Sequence, residues 1–200
     1  MKKKIVTMAI LAVAFTAAVV SCTGISGSDN KATAETGTKD STAIRVARGE
    51  YLVTIAGCDD CHSPKRMGAH GPEVIPELRL SGFQQNGQLP PVAKQTVQGG
   101  WALMAMDMTA AVGPWGISYA ANISSDSTGI GNWKEENFFR AIREGKSKGL
   151  EGNRSLLPPM PWPGYKNMTD EDLKSIFAYL KTTRPVHNVV PQPVAFADIK

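Results

Sequence analysis

Five consecutive residues, Cys58-Asp59-Asp60-Cys61-His62, constrain this chain more than any other feature of its sequence. Two thiols separated by two residues lie one helical turn apart, so they face the same side, and an imidazole follows directly. The chain has only three cysteines, and the third, Cys22, is far from this pair. A helical conformation of this segment would therefore bring two thiols and one imidazole close together.

The Cys-x-x-Cys-His pattern is typical of covalent attachment of a single c-type haem. The thiols of Cys58 and Cys61 can add to the two vinyl groups on one edge of the porphyrin, and His62 then supplies the proximal iron ligand. A structural zinc site is a poorer interpretation because it usually needs four ligands. A redox disulfide of the thioredoxin type would require a βαβ context, which the sequence lacks.

The second axial iron ligand has several candidates, namely His70, His187, Met104, Met106, Met108, Met160 and Met168. Met160 lies in Leu156-Leu157-Pro158-Pro159-Met160-Pro161-Trp162-Pro163, where the prolines restrict backbone φ and stiffen the loop. A stiff loop can hold a thioether at a fixed distance from iron, so the sequence favours Met160. Simple packing remains the alternative for any of these methionines.

The N-terminus has the pattern of an export signal. Lys2, Lys3 and Lys4 precede a largely apolar run from residue 5 to residue 20, which is shorter than the about 20 residues that span a bilayer. The run ends in Val19-Val20-Ser21-Cys22, which resembles the lipobox of bacterial lipoproteins. We therefore expect a signal peptide over 1–21, a lipidated Cys22, and a polar, flexible tether over 22–42. The alternative is that residues 1–22 form an uncleaved apolar anchor, and in that case too the domain would be exported.

The positive formal charge of the chain does not predict nucleic acid binding. Three of its 22 basic residues lie in the predicted signal, and 19 basic against 18 acidic residues then remain. The sequence also has no dense Lys/Arg block with interleaved aromatic residues. We expect membrane attachment through a lipid, and no nucleic acid partner.

Apolar periodicity predicts three helices, over 44–56, 134–144 and 169–183. Thr169 is a suitable N-cap for the last helix, and Gly145 a suitable C-terminal cap for the second. Between the first and second predicted helices, residues 63–131 are rich in Pro and Gly. This composition predicts irregular structure, with a hairpin turn at Asn86-Gly87 and a short extended run at 115–120. The predicted fold class is all-α, with one haem domain over 43–200.

Several segments resemble class I cytochromes c, and in particular the cytochrome subunits of membrane-bound alcohol, gluconate and related dehydrogenases. The matching segments are Arg48-Gly49-Glu50-Tyr51-Leu52, Thr128-Gly129-Ile130-Gly131-Asn132-Trp133, Leu157-Pro158-Pro159-Met160-Pro161-Trp162 and Met168-Thr169-Asp170-Glu171-Asp172-Leu173. The resemblance implies a cytochrome c fold with a long irregular insertion before the distal loop, and helices that cross near Gly49 and Tyr179. It also implies that Met160 is the distal ligand. The family subunits commonly carry three haem domains, whereas this chain has one motif.

The expected function is one-electron outer-sphere transfer by a carrier on the periplasmic side of a bacterial envelope, without catalysis of its own. A dehydrogenase is the expected electron donor, and an oxidase or another cytochrome the expected acceptor, by analogy with the family. Two alternatives require an open distal site. One is a haem enzyme, either a peroxidase or a sulfur-compound dehydrogenase, and the other is a haem-based gas sensor.

Overall fold

The computed structural model describes residues 31–200, with side chains described from residue 41 onward. The predicted signal peptide over 1–21 and Cys22 lie outside the described residues. The helices are α1 (Lys31–Ile55), α2 (Cys58–His62), α3 (Lys94–Gln98), α4 (Glu135–Arg143), α5 (Trp162–Tyr165) and α6 (Asp170–Leu180). The strands are β1 (Lys65–Gly68), β2 (Gly71–Val74), β3 (Leu103–Met104), β4 (Ala110–Gly113) and β5 (Gly116–Tyr119).

Helices α1 and α6 cross where α1 carries a glycine. A Cβ atom at Gly49 would overlap the carbonyl oxygen of Ser175 and lie 2.7 Å from Cβ of Tyr179. The backbones approach this closely only because the position has no side chain, and the close packing offsets the cost of glycine within a helix. The predicted crossing near Gly49 and Tyr179 is confirmed.

The predicted helices at 134–144 and 169–183 are confirmed as α4 and α6, with ends within a few residues of the prediction. Thr169 caps α6, since its hydroxyl accepts a hydrogen bond from the backbone N–H of Asp172 at 3.1 Å. Helix α1 ends as expected but begins at Lys31, within the segment predicted as a tether. No helix between residues 31 and 200 is both long enough and apolar enough to cross a membrane.

The main core lies between α1, α4 and α6. Its buried members are Leu52, Val53, Leu80, Ile130, Phe138, Ile142, Leu173, Ile176, Tyr179 and Leu180. Phe138 of α4 stacks on Phe177 of α6 with ring centroids 5.4 Å apart. Cys58 and Met160 are partly buried and pack against this same cluster. The core therefore supports both the attachment motif and the predicted distal ligand.

The prediction of an all-α fold with an irregular insertion is wrong, because helices and sheets are mixed. Residues 65–119 contain the antiparallel pair β1–β2 and the antiparallel sheet β3–β4–β5. The hairpins β1–β2 and β4–β5 each turn through two residues beside a glycine at positive φ, Gly71 (126°) and Gly116 (97°). Residues of β4 and β5 are buried on both faces, except for Tyr119, so they lack the alternation that marks a strand in sequence.

The predicted hairpin at Asn86-Gly87 is a single turn without flanking strands, closed by the hydrogen bond from Gly87 N–H to the Gln84 carbonyl (2.8 Å). The extended run predicted at 115–120 is confirmed as β5. The C-terminal tail covers the edge of β5, where Ile117 and Val194 exchange two backbone hydrogen bonds of 2.8 and 3.1 Å. A second apolar cluster forms there, from Val97, Val112, Ile117 and Ile199.

Candidate haem site

Helix α2 presents both thiols at a sharp turn from α1. Gly57, in the left-handed conformation (φ 68°), separates the two helices, and glycine adopts this conformation without the steric cost that a Cβ would impose. Cys58 and Cys61 are free and half-buried. Burial, together with the charge of Asp59, raises the pKa of the Cys58 thiol to about 11. The Tyr165 hydroxyl donates to the Ala56 carbonyl at 2.5 Å and so fixes the end of α1.

The imidazole of His62 is oriented by a backbone carbonyl. Its Nδ1 lies 2.7 Å from the oxygen of Ala121, so Nδ1 carries the proton and donates it. Desolvation lowers the pKa of His62 below its ordinary value, although the bond to Ala121 opposes this effect. Desolvation thus favours the neutral ring, in which Nε2 has a free lone pair. Metal-ligating histidines typically donate their other ring N–H to a carbonyl in this way.

One ammonium group closes the C-terminal end of α2. Lys65 Nζ donates to the carbonyl oxygens of Asp59, Asp60 and Ser63, at 3.2, 2.6 and 3.0 Å. It also reaches the carbonyl of Asp107, at 3.0 Å, in the turn between β3 and β4. A cation is favourable at a helix C-terminus, where carbonyls lack partners. Lys65 therefore joins the haem motif to the inserted sheet.

An ion pair fixes the side of α2 that carries Asp59. Arg79 donates from Nε and Nη2 to the two carboxylate oxygens, at 2.9 and 2.7 Å, and from Nη1 to the Tyr179 hydroxyl at 2.6 Å. Ser63 Oγ adds a further bond to Asp59 at 2.6 Å. The haem motif is thereby tied both to the segment after it and to α6.

The loop that carries Met160 is built on α4. Gly145, just after the C-cap of α4, has φ 65°. A Cβ added at Gly145 would lie only 2.5 Å from the indole ring of Trp162, so the ring packs directly on this glycine. The Gly145 carbonyl accepts from the Leu156 N–H at 2.6 Å. These contacts bring the loop back over α4, and Met160 packs on the main core from there.

The inserted sheet also contacts this loop. Ser118 of β5, which is 8% exposed, donates its hydroxyl hydrogen to the Pro158 carbonyl at 2.6 Å. Trp115 Nε1 donates to the Ser118 oxygen at 3.3 Å. The segment that the sequence predicts to be irregular therefore supports the loop two residues before Met160.

The other candidate ligands lie at the surface or pack elsewhere. His70 is exposed in the turn between β1 and β2, and the side chain of His187 is 70% exposed, 3.5 Å from Asp126. Met104 and Met106 are 44% and 78% exposed. Met168 packs against the main core beside α6.

Four residues that fix the site carry no recognisable sequence signal, namely Ala121, Ser118, Lys65 and Arg79. Ala121 contributes a backbone carbonyl, which every residue has, so its identity gives no information. Ser118 and Lys65 bind residues far from them in the sequence, and the predicted extended run at 115–120 does not indicate those partners. Only the position of Asp59 within the motif points to a charged partner, and no pattern distinguishes Arg79 from the other basic residues.

The cytochrome c family model matches residues 46–184, which includes the thiols, His62, Ala121 and Met160. The chain belongs to the cytochrome c family. The family implies covalently bound haem c, and the local geometry fits it: two free thiols one turn apart, followed by an imidazole whose Nδ1 is already satisfied.

Several relatives are named as cytochrome subunits of dehydrogenases. The chain is 31% identical over 150 residues to the fructose dehydrogenase cytochrome subunit of Gluconobacter japonicus, covering 74% of this chain and 23% of that protein. It is 30% identical over 154 residues to the gluconate 2-dehydrogenase cytochrome c subunit of Pantoea cypripedii, covering 76% and 25%. Identity to the cytochrome c subunit of the quinone alcohol dehydrogenase of Komagataeibacter europaeus is 28% over 158 residues, covering 78% and 26%. The chain thus spans about a quarter of the length of these relatives.

Proposed function

We propose that this cytochrome c is a one-electron carrier with a single haem c, attached through Cys58 and Cys61 and ligated by His62 and Met160. The observation that carries the proposal is the 2.7 Å contact between His62 Nδ1 and the Ala121 carbonyl. That contact fixes the tautomer that an iron ligand needs and directs Nε2 away from the backbone. When bound, haem supplies the ferrous/ferric couple.

Met160 is the proposed distal ligand because its loop is held on both sides. Trp162 packs over Gly145 beyond it, and Ser118 binds the Pro158 carbonyl before it. The thioether is partly buried against the same core as Cys58. With the imidazole and the thioether both committed, the residues leave no coordination position for a substrate, which favours electron transfer over catalysis.

The visible spectra of the oxidised and reduced soluble domain test this proposal, with Met160→Ala beside the wild type. The wild type should be low-spin with the weak long-wavelength thioether-to-ferric band, and Met160→Ala should lose the band. Met168→Ala is the matched control, since Met168 is also partly buried against the main core, and it should keep the band. A high-spin wild type, or a band that survives Met160→Ala, would refute the His/Met carrier.

We further propose that the domain is held at the periplasmic face of a bacterial envelope by a lipid on Cys22. The basic start, the short apolar run and Val19-Val20-Ser21-Cys22 support this location. Membrane fractionation of the full chain provides the test. Wild type should sediment with membranes and Cys22→Ser should be released, and equal sedimentation of both would contradict lipid anchoring.

The relatives suggest partners for the carrier. They are named as cytochrome subunits of fructose, gluconate and quinone alcohol dehydrogenases. We propose that this chain takes electrons from a dehydrogenase and passes them to an oxidase or another cytochrome. Stopped-flow oxidation and reduction with purified enzymes of each class would identify the pair.

A further inference from the structure

The loop around Met160 has few backbone bonds of its own. Within it, the Met160 N–H donates to the Leu157 carbonyl at 3.3 Å, which is long for an N–H···O bond. Proline at 158 and 159 removes two further donors. Among the described residues, the Ser118 hydroxyl makes the one hydrogen bond that joins residues 157–160 to another segment of the chain.

Ser118 lies on a strand that is paired through backbone hydrogen bonds on both of its edges. Its strand pairs with β4 in register, Ser118 opposite Ala111, and the residue before it exchanges two backbone hydrogen bonds with Val194. A Cβ at Gly116 would overlap the Val194 carbonyl, so the tail is packed directly on β5. The strand is therefore fixed on both edges.

The hydroxyl of Ser118 is also oriented. Trp115 Nε1 donates to its oxygen at 3.3 Å, which is also long for such a bond, and this contact favours placing the Ser118 proton toward acceptors on the other side. Two carbonyls lie there, that of Pro158 at 2.6 Å and that of Ala111 at 3.3 Å. The shorter contact, to Pro158, is the stronger of the two.

We propose that Ser118 is a positioning residue for Met160, and that Trp115 assists it by orienting the hydroxyl. The inference rests on the proposed function, in which Met160 is the distal ligand. In this arrangement, the inserted sheet holds the Pro158 carbonyl through Ser118 and so slows the dissociation of the Met160 thioether from the iron. Ser118 does not touch iron or haem and acts only through the Pro158 carbonyl.

The test is the rate at which exogenous imidazole replaces the thioether in the ferric protein, followed by loss of the long-wavelength band. Ser118→Ala should accelerate replacement about fivefold, the effect expected of one lost hydrogen bond. Trp115→Phe should accelerate it by a smaller factor, because the Ser118 hydroxyl remains but loses its donor. Both variants should show the band at rest, since Met160 is still present.

Ser175→Ala is the matched control. Ser175 is likewise buried (5% exposed) and donates its hydroxyl to a carbonyl, that of Glu171, at 2.7 Å, but it lies on α6. This variant should exchange at the wild-type rate. A wild-type rate in Ser118→Ala, or equal acceleration in Ser175→Ala, would overturn the positioning role. The Met160→Ala spectrum decides the proposed function separately, because it does not depend on Ser118.

Discussion

Asp59 lies between the two thiols and remains charged although half-buried. Burial alone raises the pKa of its carboxyl, but the hydrogen bonds from Arg79 and Ser63 and the positive charge of Arg79 together lower it below its ordinary value. The same bonds raise the pKa of Arg79, opposing the effect of its own burial. The pair therefore stabilises the folded state only while the carboxylate is ionised.

Replacing Asp59 by Asn should lower the free energy of unfolding by about 2 kcal/mol at neutral pH, since it removes charged hydrogen bonds to Arg79. Because the folded-state pKa is depressed, this contribution is complete above the unfolded pKa of 3.8 and is lost as pH falls through the lower folded value. Urea unfolding of both proteins between pH 7 and pH 2 should show the difference shrinking below about pH 4.

Asp60→Asn is the control for that experiment, as it makes the same change at the next residue, whose carboxylate is not paired with Arg79. It should leave the unfolding free energy within about 0.5 kcal/mol of wild type. An Asp59→Asn difference that persists unchanged at pH 2 would show that packing, not the ion pair, causes the loss.

At the residue scale, the sequence predicts the side chains that bind the cofactor but not the groups that orient them. The spacing of Cys58, Cys61 and His62 predicts a haem site because the chemistry requires those side chains. The orienting group of His62 could not be predicted, because a carbonyl belongs to every residue and only the fold brings that of Ala121 within 2.7 Å. The same holds for Ser118, because the extended run predicted at 115–120 indicates its strand but not the contact of its hydroxyl with the Pro158 carbonyl.

Among the elements, the pairing of α1 with α6 depends on one absent side chain. At Gly49 a methyl group would meet the Ser175 carbonyl, which is backbone and cannot rotate away. The two helices carry Leu52, Val53, Leu173 and Ile176 into the main core. A displaced crossing would therefore disturb the core that supports both Cys58 and Met160.

Gly49→Ala should lower the free energy of unfolding by about 3 kcal/mol, the upper part of the usual range for overpacking. Thermal unfolding monitored by circular dichroism would measure it. Gly164→Ala is the control: Gly164 lies in α5, and no heavy atom of another described residue would contact a Cβ added there within 4 Å, so alanine should be neutral or slightly stabilising. Equal melting temperatures for Gly49→Ala and wild type would contradict the tight crossing.

The elements differ in how far the sequence predicts them. Helices α4 and α6 have apolar faces of helical period and end signals, Gly145 after one and Thr169 before the other, so both are predictable. Strand β4 is four residues long and buried at every position, which leaves no period to detect, whereas the extended run predicted at 115–120 coincides with β5. The edge of β5 is covered by the tail at Val194, a contact far away in sequence.

At the scale of the whole molecule, the described residues form two apolar clusters. The main core joins the helices, while the second cluster joins the sheet β3–β4–β5, α3 and the C-terminal tail. The second cluster is small and sits next to the chain end. Regions with few buried apolar contacts open at lower free energy than the main core, so we expect the sheet and tail to open before the helices.

Ile199→Ala should expose this difference, because Ile199 is 5% exposed and lies in the second cluster. Loss of the side chain should cost about 2 kcal/mol in local stability. Native-state hydrogen exchange should then show weaker protection of the Ile117 amide and unchanged protection of the Leu173 amide in α6. Ile44→Ala, at a position 64% exposed, is the control. Equal loss of protection at Ile117 and Leu173 would mean that the two clusters unfold as one unit.

Asn188 joins the C-terminal tail to the segment that follows the haem motif. Its buried side chain accepts from the Gln85 N–H and donates to the carbonyls of Ser81 and Phe83, across more than 100 residues of sequence. Contacts so distant along the chain form late, since the entropy of closing the loop opposes them until other contacts hold it. The segment around residues 81–85 therefore reaches its native conformation only after Asn188 has bound it. In a chain truncated before residue 188, we expect this segment to remain incompletely folded.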